Sequence, residues 1–266
     1  MKKLNSIAKS EVTKKIMGRT AKVVRLKTSA AVAKDRFPFP VIAMAASVGG
    51  LEALSVILGG LPAGFPAAVA IVMHLSPDHK SILPEILSRR THLLVKQACT
   101  GDVLCRSCVF VAPPNHHLSV APSGRLKLSS SSAKKINYAR PSAEPLFVSV
   151  ATVYQRSAIA VVLTGGDGDG SFGVQIIKDK GGKVIAQDRP TSRDFSMPKS
   201  SIETGDVDYI LPLDKIAAKL IELVAGLKVP SQGRITGKRN PPRISGNSLR
   251  PSYAAGAKAA MVRRKK

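Results

Sequence analysis

Short, continuously apolar runs recur through the middle of the chain, and after each one apolar residues return at intervals of three and four. The first run, 41–46, stops at Ser47, passes Gly49-Gly50 and resumes with Leu51, Leu54 and Leu58 at helical spacing. A run without polar alternation suits a strand buried on both faces, as in a parallel sheet. Similar runs predict strands over 67–73, 109–112, 158–163, 183–186 and 209–211. The stretches between them predict helices. One begins near Pro77-Asp78 and carries Ile82, Leu83, Ile86 and Leu87 on one face; others cover 143–154, 172–180, 198–204 and 213–227. This alternation argues an α/β fold, a doubly wound, mostly parallel sheet with helices on both faces. One segment breaks the rhythm: 118–120 and 126–128, around Ser123-Gly124, predict a small β-hairpin excursion.

Composition changes this picture at the ends. The formal net charge is +24, but residues 1–36 contribute 11 Lys/Arg against Glu11 and Asp35, and residues 228–266 contribute 11 Lys/Arg and no acid. Between them stand 19 basic and 15 acidic side chains, so the basicity belongs to the termini. Phe37-Pro38-Phe39-Pro40 reads as a boundary, since neither proline suits a helix or a central strand. Three regions follow: a basic arm over 1–36, disordered or amphipathic; one domain over 37–227; and a basic disordered tail over 228–266. A near-neutral core gives no reason to expect specific nucleic-acid binding. The arms suit an anionic membrane surface or an acidic partner, or are plain solvated tails. No apolar run reaches the ~20 residues that span a bilayer, and the basic N-terminus lacks the apolar segment of a signal peptide, so a cytoplasmic location is expected. Cys99, Cys105 and Cys108 are then expected as reduced thiols. Cys105-x-x-Cys108 has the spacing of half a zinc site, but no second pair follows, and neither metal nor cofactor is expected.

Three polar residues stand at the carboxyl ends of predicted buried strands: Ser47 after 41–46, His74 after 67–73, and Asp169 in the glycine-rich turn after 158–163. In a parallel sheet those ends share one edge. A serine hydroxyl becomes a nucleophile when a base takes its proton, and the base works best when a carboxylate fixes its tautomer. Each residue alone also has a plain reading: Ser47 a helix cap, His74 a hydrogen-bonded strand-end histidine, Asp169 a turn residue. The chain order Ser, His, Asp matches none of the common hydrolase orders, and no Gly-x-Ser-x-Gly elbow is present.

Six ordered motifs carry a further reading: Ala46-Ser47-Val48-Gly49-Gly50-Leu51-Glu52-Ala53-Leu54; Met73-His74-Leu75-Ser76-Pro77; Pro113-Pro114-Asn115-His116; Arg140-Pro141-Ser142; Leu163-Thr164-Gly165-Gly166-Asp167-Gly168-Asp169-Gly170; and Ala186-Gln187-Asp188 through Met197-Pro198. From about Val41 to Leu227 the chain resembles the catalytic domain of the CheB-type protein-glutamate methylesterases of bacterial chemotaxis. The resemblance implies a Ser47, His74, Asp169 triad hydrolysing glutamate γ-methyl esters, and deamidating certain glutamines, on the cytoplasmic helices of methylated chemoreceptors. It places oxyanion and substrate contacts at Val48, Gly49, Gly166, His116 and Met197, and it implies no cofactor.

The chain departs from the family pattern in places. Threonine is common where Val48 stands, and Gly166-Asp167 replaces the usual side chain and glycine. Arg189–Ser196 is more basic than usual and lacks the customary glycine before Met197. Asp167 adds a second carboxylate beside the turn and is itself a candidate for the working acid, although register with Gly170 favours Asp169. Classical members also carry a receiver domain before the esterase; 36 residues cannot form one, so control by phosphorylation in cis is expected to be absent. These departures motivate an alternative, a catalytically weak esterase-fold module that binds a signalling partner. A nucleotide-phosphate site fails, because neither glycine turn fits Gly-x-Gly-x-x-Gly or a lysine-bearing P-loop.

Overall fold

Six consecutive residues with no exposed surface, Val41–Ala46, form strand β1, and the sheet is built outward from it. The computed structural model describes residues 38–74 and 81–227. In chain order, β1 leads to helix α1 (Gly50–Gly59), β2 (Ala68–Met73), α2 (Leu83–Ser88), β3 (Leu94–Gln97) and β4 (Cys108–Val111). A hairpin follows, β5 (Leu118–Val120) with β6 (Leu126–Leu128), and then α3 (Ala143–Tyr154) and β7 (Ala158–Val162). The described part ends with α4 (Ser171–Asp179), β8 (Lys183–Gln187), α5 (Ser196–Glu203), β9 (Tyr209–Leu211) and α6 (Leu213–Gly226).

Among the described residues seven strands form one sheet in the order β3-β4-β2-β1-β7-β8-β9, every pair parallel. Alternate residues of β1 enter two separate cores. Val41, Ala43 and Ala45 meet Leu146, Phe147 and Val150 of α3 on one face. Ile42, Met44 and Ala46 meet Leu54, Ile57 and Leu58 of α1 and Leu220 of α6 on the other. Both faces are thus covered, which is why the strands read as unbroken apolar runs. The antiparallel hairpin packs against α3 at the side of the sheet.

The chain leaves β1 toward β2 on one side and returns to β7 on the other. Strand order reverses there, and in open α/β sheets that reversal opens a crevice at the carboxyl edge. The register carries the geometry. Ala46 pairs with Met73 and Ala45 with Val162, so the next residues, Ser47 and His74, leave neighbouring strands about 4.8 Å apart.

Several expectations are corrected. Among the described residues, helix α2 begins at Leu83: residues 81–82 are not helical, and Ser81 Oγ accepts from Leu83 N–H at 3.2 Å. Pro84 in that first turn needs no donor, and Ile82, expected on the buried face, is 61% exposed. Helix α5 starts at Ser196, ahead of Pro198. Strand β3 was not foreseen; as an edge strand with Leu94, Lys96 and Gln97 exposed, it lacks a buried strand's pattern. Cys105 and Cys108 are joined in a disulfide instead of standing reduced, because the turn between them brings their Cα atoms to 5.5 Å, while Cys99 is free. The expected arm over 1–36, the tail over 228–266 and the expected helix start at Pro77-Asp78 lie outside the described residues.

Candidate active site

Ser47 is held by backbone. Its N–H donates to Thr164 O at 3.0 Å, extending the β1–β7 ladder by one step, and its carbonyl accepts from Gly50 N–H at 2.9 Å. The helix N-cap is Gly49, at φ 79, not Ser47, so the serine side chain does not serve as the cap. Thr164 knots three turns together. Its hydroxyl donates to Val48 O at 2.8 Å and accepts from Asp194 N–H at 2.9 Å, and its own N–H donates to the buried Gln187 side chain at 2.9 Å. Gly165 fits between Ser47 and Met197: a Cβ there would lie 2.9 Å from Ser47 Cβ and 2.1 Å from Met197 Sδ. The N–H groups of Val48, Gly49 and Gly166 take no acceptor among the described residues. Gly166 sits beside Val48.

His74 is bracketed by carboxylates. Its Nε2 is hydrogen-bonded to Asp169 Oδ2 at 2.9 Å, and its Nδ1 lies 3.1 Å from Asp167 Oδ2, an ion-pair contact when the ring is protonated. Asp169 is fully buried and further accepts from Ser142 Oγ at 2.6 Å, Ala143 N–H at 2.5 Å and Asn137 Nδ2 at 3.3 Å. Burial opposes a charge on His74, but the hydrogen bonds and charges of Asp167 and Asp169 outweigh it and raise the imidazole to about 9. Burial likewise pushes Asp167 up, yet the hydrogen bonds from His74 and from Asp169 N–H hold it below the usual carboxylate value.

The turn carrying both aspartates is fixed from α3. Glu144 accepts the N–H groups of Gly170, Phe172 and Gly173 at 3.0, 3.2 and 2.5 Å, closing the first turn of α4. Burial raises Glu144, a shift its three N–H donors reduce and the nearby Asp169 charge reinforces. Ser142 N–H donates to His117 Nδ1 at 3.2 Å, and His117 Nε2–H donates to Lys134 O at 2.9 Å, tying the loop before α3 into the same assembly.

Ser47, His74 and Asp167 line a cavity of about 370 Å³ whose opposite wall is Lys135, Asn137 and Arg140. Arg140 reaches Asn115 Oδ1 and Ala133 O, bracing that wall. A second groove, of about 530 Å³, runs from Gly49 past Leu51 and Val56 to Arg90 and Arg193. Among the described residues no group of three or more His, Cys, Asp or Glu is arranged to hold a metal ion, and no helix is long and apolar enough to cross a membrane.

The family model for the CheB methylesterase matches residues 42–220. The chain belongs to that family. A protein-glutamate methylesterase/protein-glutamine glutaminase of Anaeromyxobacter dehalogenans is 41% identical over 183 residues, covering 69% of this chain and 53% of its own. A protein of the same name from Pyrococcus horikoshii is 38% identical over 189 residues, covering 70% of this chain and 51% of its own. The crystal structure of the Thermotoga maritima CheB methylesterase catalytic domain superposes with a TM-score of 0.67 at 38% identity, covering 70% of this chain and 99% of that one. The chain spans about half the length of the curated relatives it matches.

Within this CheB methylesterase domain the expected residues fall into two groups. Ser47, His74 and Asp169 meet at the sheet edge, with Val48, Gly49 and Gly166 around the serine. Met197 lies beneath, fully buried, its N–H on Gly165 O, so it supports the serine turn without lining the cavity. His116 bonds Pro114 O through Nδ1 at 2.9 Å, and its neighbour Asn115 is the one that reaches the cavity. Sequence reasoning missed Asn137, His117 and Glu144. A glutamate two residues after an N-cap serine reads as an ordinary first-turn acid; nothing local signals that it reaches another helix.

Proposed function

We propose that the chain is a serine hydrolase that removes γ-methyl esters from glutamate side chains on the cytoplasmic helices of methylated chemoreceptors, and deamidates glutamines there. The observation that carries this reading is His74 hydrogen-bonded through Nε2 to the buried Asp169, with Ser47 across the same cavity. Asp169 fixes the ring so that Nδ1 is the nitrogen left to face the serine. Ser47 Oγ attacks the ester carbonyl and gives its proton to Nδ1. The oxyanion lies against the N–H groups of Val48, Gly49 and Gly166. His74 returns the proton to departing methanol, then takes one from the water that hydrolyses the acyl-enzyme.

The second groove suits the substrate. Leu51 and Val56 are exposed apolar side chains lining it beside Arg90 and Arg193, which outnumber the acidic Glu52 there, so it is complementary to an amphipathic helix with an acidic face. We place the domain over 37–227 in the cytoplasm, with the basic arms adding attraction to an anionic membrane surface or acidic partner. Methanol release from a methylated chemoreceptor cytoplasmic fragment tests the chemistry. The chain should release methanol, and Ser47→Ala should reduce kcat by several orders of magnitude. Equal release by both proteins, or none by the intact chain on verified substrate at any pH from neutral to above that at which His74 is neutral, would overturn it.

A further inference from the structure

Both ring nitrogens of His74 are occupied by carboxylate oxygens, Asp169 at 2.9 Å and Asp167 at 3.1 Å. An ionised carboxylate can only accept, so the ring satisfies both contacts when it carries both N–H protons. That is the form of a histidine that cannot act as a base. The nitrogen Asp167 occupies is the one Asp169 leaves for Ser47, and Ser47 Oγ has no hydrogen-bond partner among the described residues.

We propose that Asp167 is a positioning residue that competes with Ser47 for His74 Nδ1, holding the catalytic base protonated and the serine unactivated at neutral pH. The proposal rests on the hydrolase reading above. Asp167 reaches the ring because its own turn is braced: its Oδ1 accepts from Asp169 N–H at 3.0 Å, leaving Oδ2 aimed at the imidazole. Its side chain is 39% exposed, so solvent or an approaching substrate can take its place.

The other ionisable groups around the ring do not explain the retained proton. Lys135 and Arg140, on the far wall of the cavity, oppose a positive His74, and the Tyr138 phenol lines the same wall. Glu144 faces the Asp169 side of the turn from α3, and Asp194 lies beside Gly166 from the loop after β8. Among the described residues, the ionisable groups in contact with the ring are Asp167 and Asp169. The charge on His74 supports the geometry, since those two carboxylates hold it ionised to about 9 despite burial.

Asp167→Asn is the discriminating variant: it keeps an oxygen for Asp169 N–H and removes the charge. The readout is the rate at which a serine-directed fluorophosphonate labels Ser47 as pH is raised, with Ser47→Ala as blank. His74 is followed in parallel by NMR of histidine-labelled protein. The intact chain should label slowly at pH 7 and speed up through pH ~9, while the variant reaches its plateau at least one unit lower. One unit corresponds to roughly tenfold faster labelling at pH 7. The His74 titration should fall by the same amount, and Asp167→Ala should behave likewise. Unchanged labelling profiles and an unchanged His74 titration in both variants would overturn the proposal. If no protein labels at any pH, the hydrolase reading fails, and the His74 titration alone decides whether Asp167 holds the proton.

Discussion

Gly165 shows how little room surrounds the nucleophile. Ser47 Cβ and Met197 Sδ lie 2.9 and 2.1 Å from where a methyl group would be, and Met197 is fully buried, so neither neighbour moves freely. Adding that methyl must push the Ser47 turn, the methionine, or both. Gly165→Ala is therefore expected to fold and to lose about 10²-fold in kcat with a smaller change in KM, the signature of a displaced reacting group. Steady-state methanol release checks it, and an unchanged kcat would mean that Met197 absorbs the whole displacement. The placement of Ser47, His74 and Asp169 was legible in the sequence because each ends an apolar run, and parallel strands bring those ends to one edge. The contact between Asp167 and Nδ1 was not. It depends on the conformation of a glycine-rich turn, and composition only marked Asp167 as an extra carboxylate nearby.

At the scale of elements, α3 does more than cover the sheet. Ser142 at its N-cap both accepts from Glu144 N–H and donates to Asp169, while Glu144 closes the first turn of α4 with three acceptor contacts. Two successive helices therefore position one turn. Glu144→Ala leaves the N–H groups of the buried Gly170 and Gly173 without their acceptor, and is expected to destabilise the protein by about 2 kcal/mol. Urea unfolding checks this through a lower midpoint at unchanged slope; a midpoint equal to wild type would show that water or another acceptor takes over. Elements buried on both faces were readable from the sequence nearly to the residue, as at β1 and β7, because burial imposes the apolar pattern. Edge strand β3 and the Cys105–Cys108 bond were not, since exposed edges and tight turns place few demands on side-chain hydrophobicity.

For the molecule as a whole, the charge state that stabilises the fold is the one that disables the base. His74 rises from 6.5 to about 9 in the folded protein, so folding favours the imidazolium. A group with a raised folded value adds stability fully below its unfolded value and loses it as pH climbs through the folded one. His74 thus contributes stability below pH ~6.5 that disappears by pH ~9, on the order of 3 kcal/mol. The hydrolase needs the opposite form, neutral His74, so its activity should climb over the pH range in which its stability declines. Active sites commonly hold such conflicts between stability and function. Urea midpoints measured from pH 6 to 10 should fall for the intact chain and fall less for Asp167→Asn, which removes one of the two carboxylates holding the proton. Groups common to both proteins cancel in the difference. Parallel curves would mean that Asp167 does not contribute to the His74 charge in the folded protein. Convergence of the two curves above pH ~9, where the proton has left both, would identify the imidazolium as the source of the difference.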